Sequence, residues 1–192
     1  MSMRAFIAIE LPKEISDYLS RLQDKLKTTG ADVKWVEPDN IHLTLKFLGE
    51  ITEAQSKEII KIMEDTCGIN PAFDIALGGL GAFPRITSPR VIWVGIDAGR
   101  DEAGKIAQEL EDKISGLGIA KEKKEFSAHL TIARTRSAFN ITALIQDLKN
   151  LAGIMPEQNL RFKASRISLI KSTLTPKGPL YETLREISLK TA

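Results

Sequence analysis

An internal repeat constrains the fold of this chain more than any other feature of its sequence. The run Ile41-His-Leu-Thr-Leu45 recurs as Ala128-His-Leu-Thr-Ile132, with an offset of 87 residues between the histidines (129 − 42). The run Arg4–Glu10 likewise resembles Arg90–Asp97, with an offset of 86 (90 − 4). Because repeat arrays need at least about three copies, a single duplication predicts two similar lobes.

The spacing of apolar residues predicts helices and strands in matching order in the two halves. The predicted helices are Glu14–Thr29, Glu53–Cys67 with Thr52 as N-cap, Asp101–Gly116 and Thr142–Leu151. The predicted strands are Arg4–Glu10, Ile41–Leu45, Phe73–Leu80, Val91–Ile96, Ala128–Ile132, Leu160–Ile170 and Leu180–Leu189. The stretches Gly81–Pro89 and Lys171–Pro179 are expected to be hairpin connections, and Gly78–Gly81 a flexible turn.

This order of elements defines the expected fold class. Short connections between strands favour antiparallel pairing, with the helices packed on the outside. We therefore expect an α+β fold of two similar lobes, with mainly antiparallel sheets and a central cleft of pseudo-two-fold symmetry. Val91–Ile96 would close the first half and open the second, so the lobes are expected to exchange strands. Residues 1–192 are expected to form one domain, with repeats of about 1–89 and 90–192.

Composition and charge exclude several classes of protein. Hydrophobic residues make up 43% and charged residues 27%, which excludes disordered and collagen-like chains. The 27 basic and 25 acidic side chains are too balanced for a general nucleic-acid coat protein, but they leave room for a single phosphate site. No apolar run reaches the roughly 18 residues of a membrane span, and the first ten residues lack a signal-peptide pattern. Since the lone Cys67 has no disulfide partner, the sequence predicts a cytoplasmic protein in which Cys67 is a packing residue.

The only two histidines, His42 and His129, both stand in His-Leu-Thr-aliphatic runs. Side chains alternate between the two faces of a strand, so His42 shares a face with Thr44, and His129 with Thr131. The leucines are then expected to bury against helices, and the imidazole and hydroxyl groups to face the cleft. Duplication alone would copy such a motif without a function. The halves differ almost everywhere else, however, so the retained match favours a functional pair.

Two imidazoles on opposite sides of a cleft suit in-line displacement at phosphorus, because the attacking and leaving oxygens lie on opposite sides of that atom. An imidazole with a reference pKa of about 6.5 can serve as acid or base near neutral pH. The hydroxyls of Thr44 and Thr131 can donate hydrogen bonds to the non-bridging oxygens. A metal site fits less well, because it needs three or four ligands and the two motifs supply two. The sequence contains neither a Gly-x-Ser-x-Gly elbow nor a phosphate-binding Gly-x-x-x-x-Gly-Lys-Ser/Thr loop.

Longer motifs around the histidines carry a family resemblance. They are Trp35–Glu50, Pro89–Gly95, Phe126–Arg134 and Gly178–Tyr181, and the similarity extends over essentially the whole chain. In these motifs the sequence resembles the 2H phosphoesterases, and within that group the RNA 2′,3′-cyclic phosphodiesterases, also called 2′-5′ RNA ligases.

The resemblance implies hydrolysis of a terminal 2′,3′-cyclic phosphate, on RNA or on a small cyclic nucleotide, to a 2′-phosphate. It implies no metal and no cofactor. It further implies that His42 is the proton donor and His129 the proton acceptor. The symmetry of the two motifs leaves these roles open, because either lobe can bind either side of the ring.

Two neighbouring residues are candidate substrate contacts. Arg134 resembles the phosphate-binding arginine of the family, but strict alternation would place it on the face opposite His129. It therefore needs a bulge, or a position at the end of the strand, to reach the cleft, and a solvated surface arginine is the alternative. Phe47 is a candidate for stacking on a terminal base, with core packing as the alternative.

Two other functions compete with hydrolysis. A ligase would join a cyclic-phosphate end to a 5′-hydroxyl with the same histidines, and a non-catalytic module would only bind RNA ends. A binder does not need a titrating pair, so the two intact histidines favour an enzyme. A self-contained two-lobed chain is expected to be a monomer.

Overall fold

The computed structural model describes residues 2–152, 160–176 and 178–191, so Lys177 of the predicted 171–179 connection lies outside the described residues. The chain contains both helices and strands in each half, as the sequence predicts. The elements are β1 (Ser2–Glu10), α1 (Lys13–Lys27), β2 (Val33–Trp35), a 3-10 turn (Pro38–Asn40), β3 (His42–Thr52), α2 (Glu53–Ile69), β4 (Phe73–Arg85), β5 (Ser88–Ala98), α3 (Arg100–Ser115), β6 (His129–Thr135), α4 (Ile141–Ala152), β7 (Arg161–Ala164), β8 (Arg166–Thr175) and β9 (Gly178–Ser188).

The strands form one sheet in which all the pairings between named strands are antiparallel in the described part of the chain. Their order is β7-β4-β5-β6-β3-β1-β8-β9, with β2 paired to β6. The β3–β6 junction divides this order into two groups of four strands. Each group combines strands from both halves of the sequence, because β8 and β9 pair beside β1, while β4 pairs beside β5.

The helices cover one face of the sheet and share its main apolar core. Ile15 of α1, Ile59 of α2, Leu110 of α3 and Leu144 of α4 all belong to this core. In β1, alternate residues belong to different clusters, since Ala5, Ile7 and Ile9 join the helix-side core whereas Phe6 and Ala8 join a smaller cluster on the other face. The expected α+β class, with outer helices and antiparallel strands, is confirmed.

Several local predictions are confirmed and one is wrong. Thr52 caps α2 in a capping box with Gln55, as its position predicted. Cys67 is buried, and burial raises the pKa of its thiol to about 12. Gly78–Gly81 is not a turn but lies inside β4. Glycines stand there because a β-carbon at Gly78 would collide with Asp97, and one at Gly81 with the ring of Trp93.

The connections are shorter than the sequence predicts. β4 continues to Arg85 and β5 starts at Ser88, so most of the predicted loop 81–89 is strand. The predicted strand 160–170 is divided at Ser165 into β7 and β8. Within the described ranges, none of the helices combines the length and apolar character that a membrane crossing requires.

Candidate active site

The two histidine motifs meet where the two groups of strands join. Leu43 of β3 pairs with Leu130 of β6 in antiparallel register, and both leucines are fully buried on the helix side. This register sets Thr131 across from His42, and Thr44 across from His129. The imidazoles and hydroxyls therefore lie together on the face opposite the helices, related by the pseudo-two-fold axis that passes through the leucine pair.

Both imidazole rings are anchored in the same way. His42 Nδ1 lies 2.8 Å from the carbonyl oxygen of Asn40, and His129 Nδ1 lies 2.6 Å from that of Ser127. A carbonyl oxygen only accepts, so each Nδ1 must carry the proton of this bond. Each Nε2 is then the atom that gains or loses a proton, and no described residue hydrogen-bonds to it.

Aromatic side chains fix the plane of each ring. Phe6 stacks on His42 with ring centroids 4.6 Å apart, and Tyr181 meets the same imidazole edge-on at 5.5 Å. On the other lobe, Phe83 meets His129 edge-on at 5.1 Å, and Trp93 lies 6.3 Å away. Sequence analysis missed these four aromatic residues, because they come from four different strands and meet the histidines only in the folded protein. Phe6 lies on β1, Tyr181 on β9, Phe83 on β4 and Trp93 on β5.

The electrostatic surroundings of the two histidines differ. Burial lowers the pKa of His42, while the Asn40 carbonyl and the carboxylate of Glu10 oppose that shift. Burial also lowers the pKa of His129, where the Ser127 carbonyl opposes the shift and the charge of Arg134 adds to it. An acidic neighbour thus favours the protonated form of His42, and a basic neighbour favours the neutral form of His129.

A β-bulge brings Arg134 to the cleft face. Trp93 of β5 pairs with Thr131, but the next residue, Ile92, pairs with Ala133, which leaves Ile132 without a partner on β5. The extra residue reverses the alternation, so Arg134 shares a face with Thr131. Arg134 is exposed on that face, close enough for its charge to act on His129.

The same irregularity occurs at the equivalent position of β3. Ala8 pairs with Thr44 and Ile7 with Lys46, so Leu45 has no partner on β1. Phe47 therefore faces the cleft, with its ring 6.3 Å from that of Phe6 and 54% of its surface exposed. Phe47 is not a core residue, and it occupies in one lobe the place that Arg134 occupies in the other.

Buried polar side chains connect both bulges to the helices. Gln23 of α1 is 1% exposed, and its amide donates to the carbonyl of Ile132 at 2.9 Å and to that of Val36 at 2.7 Å. On the other lobe, the buried Lys46 pairs with Glu111 of α3 at 2.7 Å. Sequence analysis missed these residues, whose only signal is a polar side chain at a position on an otherwise apolar helix or strand face.

The donor set of the cleft consists of imidazoles, hydroxyls and a guanidinium. Across the described ranges, no three histidine, cysteine, aspartate or glutamate side chains come together as a possible metal site. The hydroxyls and the guanidinium can hold an anion between the two imidazoles, and each imidazole can give or take a proton on its own side of that anion.

Comparisons with known proteins place the chain in a family. The model of the LigT-like phosphoesterases matches twice, at residues 9–93 and 94–181, so the internal repeat is a repeat of the family unit. The RNA 2′,3′-cyclic phosphodiesterase of Aeropyrum pernix is 40% identical over 170 residues, covering 88% of this chain and 93% of the relative. That of Methanocaldococcus jannaschii is 38% identical over 184 residues, covering 96% and 99%.

Solved structures agree on the fold. A crystal structure from Thermus thermophilus is 27% identical, with a TM-score of 0.80 over 98% of this chain and 99% of that one. Escherichia coli LigT in complex with 3′-AMP is 23% identical, with a TM-score of 0.81 over 100% of both chains. Together with the double family match, these similarities show that the chain belongs to the LigT-like phosphoesterases, the 2H phosphoesterase family that its two histidine motifs resemble.

Proposed function

We propose that this protein hydrolyses 2′,3′-cyclic phosphate ends, of RNA or of small cyclic nucleotides, to 2′-phosphates. The observation that carries the proposal is the matched pair of imidazoles on one sheet face, each held through Nδ1 and each leaving Nε2 free for proton transfer. The relatives named RNA 2′,3′-cyclic phosphodiesterase support the choice of substrate.

The proposed reaction is a single in-line displacement. His129 Nε2 takes a proton from water as the water oxygen bonds to phosphorus, and His42 Nε2 donates its proton to O3′ as the P–O3′ bond breaks. The product carries a 2′-phosphate and a free 3′-hydroxyl. Exchange of protons with solvent then returns His129 to its neutral form and His42 to its charged form.

The charges around the two rings support this assignment of roles. An acid must be protonated before the reaction, and Glu10 favours the protonated state of His42. A base must be neutral, and Arg134 favours the neutral state of His129. The pseudo-two-fold symmetry that leaves the roles open is therefore broken by two side chains of opposite charge.

The remaining cleft residues would bind the phosphate and the nucleoside. Thr44 and Thr131 would donate hydrogen bonds to the non-bridging oxygens, where negative charge builds up in the transition state. Arg134 would contribute a charge-assisted bond to the same oxygens. Phe47 would stack on the terminal base. We further infer that the protein acts as a monomer in the cytoplasm.

A direct test is incubation with an oligoribonucleotide that ends in a 2′,3′-cyclic phosphate. Chromatography that separates the 2′- and 3′-phosphate products should detect only the 2′-phosphate. A parallel reaction with a 5′-hydroxyl RNA added tests the ligase alternative, because a ligase would convert the cyclic end into a longer strand. Binding without any product would favour the non-catalytic module.

A further inference from the structure

A cavity opens beside Phe47, on the His42 side of the cleft. Its volume is about 140 Å³. It is lined by Arg4, Ala5, Phe6, Phe47, Gly49, Ser172 and Tyr181. The lining combines aromatic rings with one guanidinium and two hydroxyls, which are the groups that recognise a base and a phosphate.

Arg4 is the charged group of this cavity. Along β1 it shares the cleft face with Phe6, because the two residues are separated by one position. Glu50 is its cross-strand partner, yet none of the ion pairs among the described residues involves Arg4. Arg4 is exposed, and its charge and that of Arg134 both act on the phenol of Tyr181. Two guanidinium groups from different lobes therefore face the same part of the cleft.

The other lobe does not repeat this feature. Ala8 of β1 pairs with Thr44, and Trp93 of β5 pairs with Thr131. Ala8 and Trp93 therefore occupy equivalent positions in the two lobes. Four residues before Ala8 stands Arg4, and four residues before Trp93 stands Pro89, which carries no charge. The cavity with its arginine is thus a property of the His42 lobe.

The proposed reaction decides which lobe holds the nucleoside. The leaving oxygen O3′ belongs to the ribose, and the attacking water approaches from the opposite side of phosphorus. If His42 protonates O3′, the ribose and its base lie on the His42 lobe, beside Phe47. The Arg4 cavity lies on this same lobe, and Phe47 forms part of its lining.

We propose that Arg4, with the hydroxyl of Ser172, binds the phosphodiester on the 5′ side of the terminal nucleotide, so that the protein prefers RNA ends to free cyclic mononucleotides. The proposal rests on the proposed function, and it adds a second anion site and a direction for the RNA strand. The strand leaves the cleft over the His42 lobe. A guanidinium suits this role, because it forms paired hydrogen bonds with phosphate oxygens.

The test compares two substrates with the same reacting group, adenosine 2′,3′-cyclic phosphate and the dinucleotide ApA ending in a 2′,3′-cyclic phosphate. For the unaltered protein, kcat/KM should be higher for the dinucleotide. In Arg4→Gln, the ratio of the two kcat/KM values should fall roughly tenfold, because a charge-assisted phosphate contact is lost. A 5′-phosphorylated cyclic mononucleotide should recover part of the preference, since it supplies the phosphate without a second base.

The matched control is Arg85→Gln, which removes an exposed arginine from the hairpin of the other lobe. This change should leave the ratio unaltered. An unchanged ratio in Arg4→Gln, or a selective loss in Arg85→Gln, would overturn the proposal. Absence of turnover with both substrates in the unaltered protein would instead reject the proposed function. Circular dichroism should give the same spectrum for all three proteins, because both arginines are exposed.

Discussion

The side-chain amide of Gln23 holds the carbonyl of Ile132, the residue that makes the bulge in β6. A bulge leaves backbone groups without their ladder partners, and a buried carbonyl without a partner is costly. Gln23 meets this need from α1, and the backbone N–H of Val36 donates to the same oxygen at 3.0 Å. The bulge in turn sets Arg134 on the face of His129. Gln23 is therefore a positioning residue that acts on the cleft through the backbone.

Replacement of Gln23 by Met should lower kcat/KM without removing any group from the cleft. Methionine fills a similar volume but cannot donate to the two carbonyls, so the bulge loses its support. We expect a loss of roughly 10-fold, smaller than the loss in Arg134→Ala, which removes the guanidinium itself. If Gln23 acts through Arg134, the double variant should lose little more activity than Arg134→Ala alone.

A buried amide far from the cleft provides the control for this experiment. Asn70 is 3% exposed and donates to the carbonyl of Thr66 and to Glu109, both at 2.9 Å. Asn70→Leu should lower the midpoint of urea unfolding, as Gln23→Met should, yet leave kcat/KM near its normal value. Equal losses of activity in the two variants, or additive losses of Gln23→Met and Arg134→Ala, would mean that Gln23 only stabilises the fold.

Removal of either imidazole should abolish most of the activity. His42→Ala removes the proposed acid and His129→Ala the proposed base, and each is expected to reduce kcat roughly 10²- to 10⁴-fold. Because the two groups act in one step, the double variant should lose far less than the product of the single losses. Single-turnover rates on a cyclic-phosphate oligonucleotide measure these effects.

The same variants should remain folded, since both imidazoles are only partly buried on the cleft face. Far-ultraviolet circular dichroism and the urea midpoint provide the check. Near-normal turnover in a folded single variant would mean that the paired motifs are a remnant of duplication without a catalytic role.

Much of the fold followed from the sequence, because the apolar periodicity has a direct physical origin. The helix predicted at 14–29 is Lys13–Lys27, and the one predicted at 101–116 is Arg100–Ser115. Helix faces buried in a shared core leave a regular 3.6-residue pattern, which the sequence records. The histidine-bearing strand starts were predicted for the same reason, from the alternation of buried leucines with polar residues.

The sequence indicated that Arg134 reaches the cleft only through a bulge or at the end of the strand, but it did not locate the bulges, because Ile132 and Ala133 are both apolar and are typical of an ordinary strand. Strict alternation placed Arg134 on the wrong face, and only the register of β6 against β5 corrects this. The bulge depends on partners distant in sequence, among them Gln23, which lies 109 positions before Ile132.

The alignment of the first strands shows the same limit. Similarity of residue type matched Arg4 with Arg90 at an offset of 86, which would make Phe6 equivalent to Ile92. The sheet pairs Glu10 with His42 and Gly95 with His129, an offset of 85 (95 − 10). Ile92 is fully buried on the helix side, whereas Phe6 stacks on His42.

Chelation should leave the activity unchanged. Each Nδ1 is hydrogen-bonded to a backbone carbonyl, so the two Nε2 atoms are the strong metal ligands that the histidines offer. A tight metal site needs three or four ligands. Proton transfer by imidazole needs no Lewis acid. We expect turnover in excess EDTA to equal that of untreated protein. Loss of turnover on chelation, with recovery by one particular divalent ion, would require a different role for the histidines.

Substitution of Glu10 by Gln tests which histidine is the acid. Burial lowers the pKa of both histidines below the ordinary value, so kcat/KM of the unaltered protein should follow a bell-shaped curve with its maximum on the acid side of pH 6.5. In the unaltered protein Thr183 Oγ1 donates a hydrogen bond of 3.1 Å to the carboxylate of Glu10. Glutamine keeps the size of Glu10 and can still accept this bond, but it lacks the negative charge that favours protonated His42.

The pKa of His42 should therefore fall further in Glu10→Gln, because the charge that raised it is gone, and proton NMR can follow the two imidazole rings separately. The pH of maximal kcat/KM moves down whichever role His42 has, but the height of the maximum depends on the role. If His42 is the acid, fewer molecules hold the required proton and the maximal rate falls. If His42 is the base, more molecules are in the required neutral form and the maximal rate rises. Thr183→Val, which removes the hydrogen bond and keeps the carboxylate charge, should leave the maximum near its normal height. We expect the fall, and a rise would reverse the assignment of His42 and His129.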